Sequence, residues 1–298
     1  MLDRYRHDGH GELLSYGTVR DYCDSADHLP WLSSLQNDLK DLQRPWAVKA
    51  TLGLVPIGSH LLEIGAGEPV VASLLAELGY NVTVIDPYDG SAGGPTQFED
   101  FVRRYSNVRI IRAYFQSDIS ELENHRFDAI YSISVLEHVP EPALQATFQG
   151  ISTYLKPNGR SFHAVDCVTQ GNDAAYHFEQ CLRIAGYQSK IAGSPPVNIA
   201  MLSDLFEKAN QDLETYYLSP AGHNLWRGTT PYQMFPFRKV LSFQTQAVRS
   251  VSASPPSAGD QLTGAMDKQP RRSWLNGIVA SFKTRLETLS GIDVPGGK

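Results

Sequence analysis

Residues 61–90, LLEIGAGEPVVASLLAELGYNVTVIDPYDG, decide how this chain is read. An apolar run ends on Glu63-Ile64 and meets the glycine turn Gly65-Ala66-Gly67. A helical stretch follows from Val70 to Gly79, and a second apolar run, Val82–Ile85, ends on Asp86. This is one strand–turn–helix–strand unit with glycines at its first turn and a carboxylate closing its second strand. Glycine lets the backbone pass close to a ligand and presents amide N–H groups at a helix N-terminus. Asp86 is placed to accept hydrogen bonds from a ribose diol. The unit reads as a site for a nucleoside-bearing cofactor.

A dinucleotide site calls for a third glycine where this chain has Val70, with Glu68 and Pro69 just before it. An acid at Glu68 beside a helix N-terminus opposes a pyrophosphate and tolerates a cationic ligand. Around the unit the alternation is regular. Strands are expected near 60–64, 82–86, 108–112, 128–133 and 160–166, with helices over 173–186 and 200–210. Alternating strands and helices imply a parallel sheet covered on both faces. Residues 213–219 and 237–248 read as two late strands with no helix between them, hence an antiparallel pair.

Four segments in order, LLEIGAG (61–67), Asp86, FDAIYSISVLEHV (127–139) and YLKPNGRSFHAVD (154–166), resemble the class I S-adenosylmethionine-dependent methyltransferases. The resemblance covers about residues 50–250. It implies an α/β fold, a doubly wound Rossmann-like seven-stranded sheet, mostly parallel with an antiparallel last strand. It also implies S-adenosyl-L-methionine as cofactor. Glu63 and Gly65-Ala66-Gly67 would hold the methionine end, Asp86 the ribose, and Phe115, within Tyr114–Gln116, the adenine; the adjoining Pro87 is counted with the cofactor-binding residues. Ser132 would offer a backbone contact to the methionyl group. An acid usual in the adenine loop is not obvious here.

Transfer to oxygen releases a proton, so a base within hydrogen-bond reach helps. In open α/β sheets ligands bind beyond the carboxyl ends of the strands. His138 follows the fourth parallel strand, Asp166 ends the fifth, and His177 lies eleven residues further on. His177 or His138 is the candidate base, with Asp166 orienting a histidine or the acceptor. His163, mid-strand, reads as a core residue. His223, Trp226 and Arg227 lie between the two late strands and could pack a flat acceptor or sugar.

The chain has 298 residues, 42% of them hydrophobic, enough for one large core with appendages. A net charge of −6 gives no basic field for nucleic acid, and Ser-Val-Leu-Glu-His stands where a nucleic-acid methyltransferase would carry an Asn/Asp-Pro-Pro-Tyr/Phe motif. The expected partner is therefore a small-molecule or sugar acceptor. Three cysteines without C-x-x-C spacing argue for a reducing, cytoplasmic setting and against a metal site.

Residues 1–50 read as an N-terminal helical cap, and 51–250 as the methyltransferase domain. Trp31, Leu32, Leu35, Leu39, Leu42 and Trp46 suggest one helix interrupted at Pro45. Tyr16, Arg20 and His28 are candidates to face the pocket. The Ser/Pro/Gly-rich stretch 251–272 reads as a disordered linker, and 273–298 as an amphipathic helix and tail. That helix, residues 273–290, suits an anionic membrane surface or a protein partner as well as it suits its own domain. A non-catalytic cofactor-binding scaffold that recruits through this tail is the alternative function.

Overall fold

The computed structural model describes residues 5, 13–33, 38–171, 173–219 and 239–251, all within one compact unit, Met1–Pro256. The expected linker, the tail helix over 273–290, and the trio His223, Trp226 and Arg227 lie outside the described residues. Seven strands form one sheet in the order β1-β7-β6-β5-β2-β3-β4. They are β1 (Leu14–Tyr16), β2 (His60–Ile64), β3 (Asn81–Asp86), β4 (Arg109–Arg112), β5 (Phe127–Ile133), β6 (Leu155–Gln170) and β7 (Lys239–Val248). β2 through β6 pair in parallel; β7 runs antiparallel to both β6 and β1.

Among the described residues seven helices accompany these strands: α1 (Val19–His28), α2 (Lys40–Leu54), α3 (Val70–Glu77), α4 (Phe98–Arg104), α5 (Glu141–Tyr154), α6 (Ala174–Ala192) and α7 (Ile199–Gln211). The period of two along each strand sends its side chains to opposite faces. Leu61, Val82, Val84 and Tyr131 join the core beneath α2 and α3, while Leu62, Ile85, Ile130 and Val165 join the core beneath α5, α6 and α7. A sheet buried on both faces explains why these strands read as continuous apolar runs.

Three expectations change. The seventh strand comes from the N-terminal segment, as β1, and not from residues 213–219. That later stretch makes only isolated bridges, Thr215 to Thr18 and Tyr217 to Leu241. Its amides bond alternately to Gly17 and Val240, so it stitches two elements without laddering along either. The N-terminal segment is therefore part strand, and α2 runs across residue 50.

Second, the apolar pattern 31–46 is not one helix. Pro30–Leu32 form a short 3-10 turn and α2 begins at Lys40. Third, α2 continues through Pro45. Proline removes one helical hydrogen bond there, but Ala47, Val48 and Leu52 are buried and Trp46 meets Phe162 edge-on at 6.0 Å. Tertiary burial outweighs the lost bond.

Candidate active site

The glycine turn between β2 and α3 is built on two left-handed residues, Gly65 (φ +66°) and Gly67 (φ +58°). At Gly65 a Cβ would stand 2.7 Å from a Val135 methyl, so only glycine fits there. Asp86, at the end of β3, closes the cradle. Its Oδ2 accepts the Gly67 N–H at 3.0 Å and its Oδ1 accepts the Tyr88 N–H at 2.8 Å. Tyr88 is itself left-handed (φ +47°), and its hydroxyl donates to the Gly67 carbonyl at 3.0 Å. Burial raises the Asp86 pKa, and the two backbone N–H groups oppose that rise. Each carboxylate oxygen keeps a second lone pair, which a diol can use.

Glu63, on β2, is buried on the face under α2 and α3. It accepts the Tyr131 hydroxyl at 3.0 Å and a backbone hydrogen bond from Ala72 in the first turn of α3. Burial pushes its pKa up to about 7, and those bonds, together with the field of Arg44, pull the other way. Glu68 turns outward to Arg104 Nη1 (2.5 Å) and the Tyr105 hydroxyl (2.7 Å). With its charge met by Arg104, Glu68 repels a pyrophosphate less than an unpaired acid would.

Ala66 is half-buried beside the core of that face, and Pro87 presents its carbonyl to Arg112 Nε at 3.3 Å. The Phe115 ring enters the opposite core, 6.0 Å from the Tyr154 ring, which leaves only its main chain for a ligand. Ser132 is fully buried, its Oγ 2.8 Å from His163 Nδ1; Ser161 Oγ meets His163 Nε2 at 2.9 Å. Burial drives the His163 pKa down to about 3, so its ring is neutral and structural.

A second polar cluster occupies the carboxyl edge of β5 and β6. Asp166 Oδ1 accepts Gln43 Nε2 and Ser134 Oγ, both at 2.9 Å. The Asp166 N–H donates to Glu137 Oε1 at 2.9 Å, and the Asp166 carbonyl lies 2.9 Å from His177 Nδ1. A carbonyl only accepts, so Nδ1 carries the proton and Nε2 is the basic nitrogen of the neutral ring. His138 Nε2 stands 4.0 Å from Glu137 Oε1 and is half-exposed. α6 grips this edge: the Tyr176 hydroxyl donates to the Glu137 carbonyl, and Gln180 Nε2 to the carbonyls of Leu136 and Val139. Burial raises the Glu137 pKa well above the usual range, and the Asp166 charge raises it further.

Asp166, His177 and His138 thus fall in one cluster, and Glu63, Gly65–Gly67 and Asp86 in another. Asp166 reaches His177 through its main chain and not through its carboxylate. Tyr16, Arg20 and His28 spend their polar ends on Asp212, Glu214 and Asp24. Gln43, Tyr88, Ser134 and Glu137 were not singled out in the sequence. A carboxylate beside His138 in the same short turn was the available signal for Glu137.

A profile of the methyltransferase domain matches residues 41–216, more than half the chain. The chain belongs to the methyltransferase domain family. S-adenosylmethionine is the cofactor of this family, and the cradle fits it: a turn that admits no Cβ and a carboxylate with spare lone pairs. An uncharacterized protein of Mycobacterium tuberculosis is 31% identical over 120 residues, 40% of this methyltransferase and 39% of that protein. A ubiquinone biosynthesis O-methyltransferase of Rickettsia akari is 33% identical over 101 residues, 34% of this chain and 37% of its own. These matches span under two-fifths of each relative's length. Among solved structures, a 1,6-didemethyltoxoflavin-N1-methyltransferase of Burkholderia thailandensis aligns with a TM-score of 0.39 at 17% identity. That alignment covers 78% of this methyltransferase and 87% of the other chain. No helix among the described residues is long and apolar enough to cross a membrane.

Proposed function

We propose that this chain is an S-adenosylmethionine-dependent methyltransferase acting on an oxygen of a small molecule, a sugar or a related glycan. One observation carries the reading: the Gly67–Asp86–Tyr88 cradle at the end of β3 and the Asp166–His177–Glu137 cluster, just past the last β5–β6 pairing at Ile133–Ala164, stand on the carboxyl-terminal side of the same sheet. That is where open α/β sheets hold their ligands. The O-methyltransferase named above supports oxygen as the acceptor atom.

When bound, the cofactor supplies an electrophilic methyl group and its leaving group. The chain's own task is alignment and proton removal. Asp86 would hold the ribose, and the glycine turn would let the main chain pass close to the cofactor; Glu63 holds that turn to Tyr131 and to the start of α3. Alignment of this kind can lower a barrier by several kcal/mol. His177, held in its Nδ1–H form by the Asp166 carbonyl, is the base we favour, and His138 is the second candidate. Buried free thiols at Cys167 and Cys181 suit a reducing, cytoplasmic setting.

Calorimetry with S-adenosylmethionine and S-adenosylhomocysteine tests the first half of the proposal. A screen of sugars and phenols with labelled methyl donor tests the second. His177→Ala is expected to lower turnover by about 10²–10⁴ with cofactor affinity nearly intact. If neither His177→Ala nor His138→Ala lowers turnover on the true acceptor, the histidine base is wrong.

A further inference from the structure

Between α6 and α7, at the edge of the sheet where β6 begins and β7 ends, the surface is apolar and basic together. Residues 193–201 read Gly-Ser-Pro-Pro-Val-Asn-Ile-Ala-Met, and of these only Val197 is buried. Ile199 is 55% exposed and Met201 48%. Ile199, Ala200 and Met201 are consecutive in the first turn of α7. Successive side chains leave a helix about 100° apart, so exposure of all three means that this turn stands clear of the domain. The end of β7 lies alongside it. The Ser250 N–H donates to the Ile191 carbonyl at 2.9 Å, and a Cβ on Gly193 would stand 2.9 Å from the Ser250 Cβ. Val251, the next residue, is 73% exposed.

Cations border the same surface. Lys190, in the last turn of α6, lies over the Tyr187 ring at 5.7 Å. Arg249 donates to the Leu155 carbonyl, and Arg126 to the carbonyls of Glu123 and His125. None of the three forms an ion pair with an acid among the described residues. Burial lowers the Arg249 pKa and the charge of Arg126 lowers it further, so an anion here would relieve a repulsion. The chain leaves the described structure at this point. Residues 252–298 carry six basic side chains (Lys268, Arg271, Arg272, Lys283, Arg285 and Lys298) against four acidic ones, in a chain of net charge −6.

Single apolar side chains are ordinary on a protein surface; a projecting apolar turn bordered by cations that lack acid partners is not. An anionic leaflet meets both features at once, with phosphates at its surface and acyl chains just beneath. We infer that this end of the domain docks on an anionic membrane surface, with Ile199 and Met201 entering the acyl boundary and Lys190, Arg126 and Arg249 meeting lipid phosphates. Asp86 and Asp166 stand toward the opposite ends of their strands, so docking leaves the cofactor cradle facing water.

The test is co-sedimentation of the full chain with vesicles of equimolar phosphatidylcholine and phosphatidylglycerol, compared with phosphatidylcholine alone. The native chain is expected to partition onto the anionic vesicles at least tenfold more strongly. It should be released in about 1 M salt, where the screening length is roughly 3 Å. Ile199→Asp combined with Met201→Asp should weaken partitioning tenfold or more. Acids are favoured in a first helical turn, so the melting temperature should hold. Arg126→Ser combined with Lys190→Ser should weaken partitioning severalfold, and carries the comparison if the aspartates disturb the fold. A native chain that ignores both vesicles would leave the surface to a protein partner and overturn the inference. Equal binding to the two vesicles overturns it as well. Partitioning unchanged in a folded variant would assign membrane contact to residues 252–298 alone, which also overturns it. S-adenosylhomocysteine affinity, measured alongside, should be the same in all variants and reports on the cradle separately.

Discussion

Asp86 gathers two backbone N–H groups, those of Gly67 and Tyr88, and so shapes the cradle as well as lining it. Asp86→Ala removes a charged acceptor worth about 1.5–3 kcal/mol. Calorimetry should show S-adenosylhomocysteine affinity falling roughly ten- to hundredfold, since about 1.4 kcal/mol is tenfold. A lower melting temperature should accompany it, because two donors lose their partner. Glu63 gives a residue-scale effect with a defined pH window. Its folded pKa is raised to about 7 from 4.5, mainly by burial. Between those values the folded state holds a proton that the unfolded state has released. Stability from this group is therefore full below about pH 4.5 and falls as pH rises to about 7. At 1.36 kcal/mol per pKa unit the loss is about 3 kcal/mol. Glu63→Gln should flatten that slope, so denaturant titrations at pH 5 and pH 8 should differ less for the variant than for the native chain.

Between elements, the glycine turn after β2 and the turn after β5 constrain each other through Gly65 and Val135. Gly65→Ala places a Cβ at 2.7 Å from Val135 in a left-handed conformation, which alone costs about 1–2 kcal/mol. Melting should drop by several degrees, at about 2–4 °C per kcal/mol for a domain of this size. Val135→Ala on that background should recover the steric part and leave the conformational part, a coupling of at least about 0.5 kcal/mol in a double-mutant cycle. Simple additivity would show that the two turns are independent. Elements of this kind were legible where the signal is local. β2 through β5 and the core of β6 announced themselves as apolar runs, and the glycines and Asp86 as residue types at strand ends; Asp166, expected to end its strand, is followed by four more residues of β6, and His177 lies in α6. β1 was not legible, because three residues carry no periodicity. Gln43 and Ser134 were hidden for a different reason: their partner Asp166 is 123 and 32 residues away. A polar residue on a helix otherwise buried at Leu42, Ala47 and Val48 reads as ordinary until its partner is known.

At the scale of the whole molecule, the N-terminal segment is tied into the sheet at both ends of its described length. β1 pairs with β7, and Gln43 on α2 reaches Asp166 on β6. Gln43→Leu keeps the bulk and removes both polar contacts, leaving Ser134 without its Gln43 acceptor and Asp166 with a single donor. A loss of about 1–3 kcal/mol is expected in denaturant unfolding. Cofactor affinity should hold, because the cradle at Gly67 and Asp86 lies on other strands. A fall in affinity equal to the fall in turnover would show that α2 supports the cradle as well.

The pairing of Leu14 with Thr245 and Tyr16 with Phe243 has a consequence for biosynthesis. A ribosome makes β1 well over two hundred residues before β7, its pairing partner among the described residues. Loop-closure entropy of that length and a high contact order both favour slow completion. The nascent chain can assemble β2 through β6 while β6 still presents an open edge, a surface prone to pairing with other chains. Only when β7 leaves the exit tunnel can β1 dock. Translation order and sheet order thus run opposite to each other at this end of the protein.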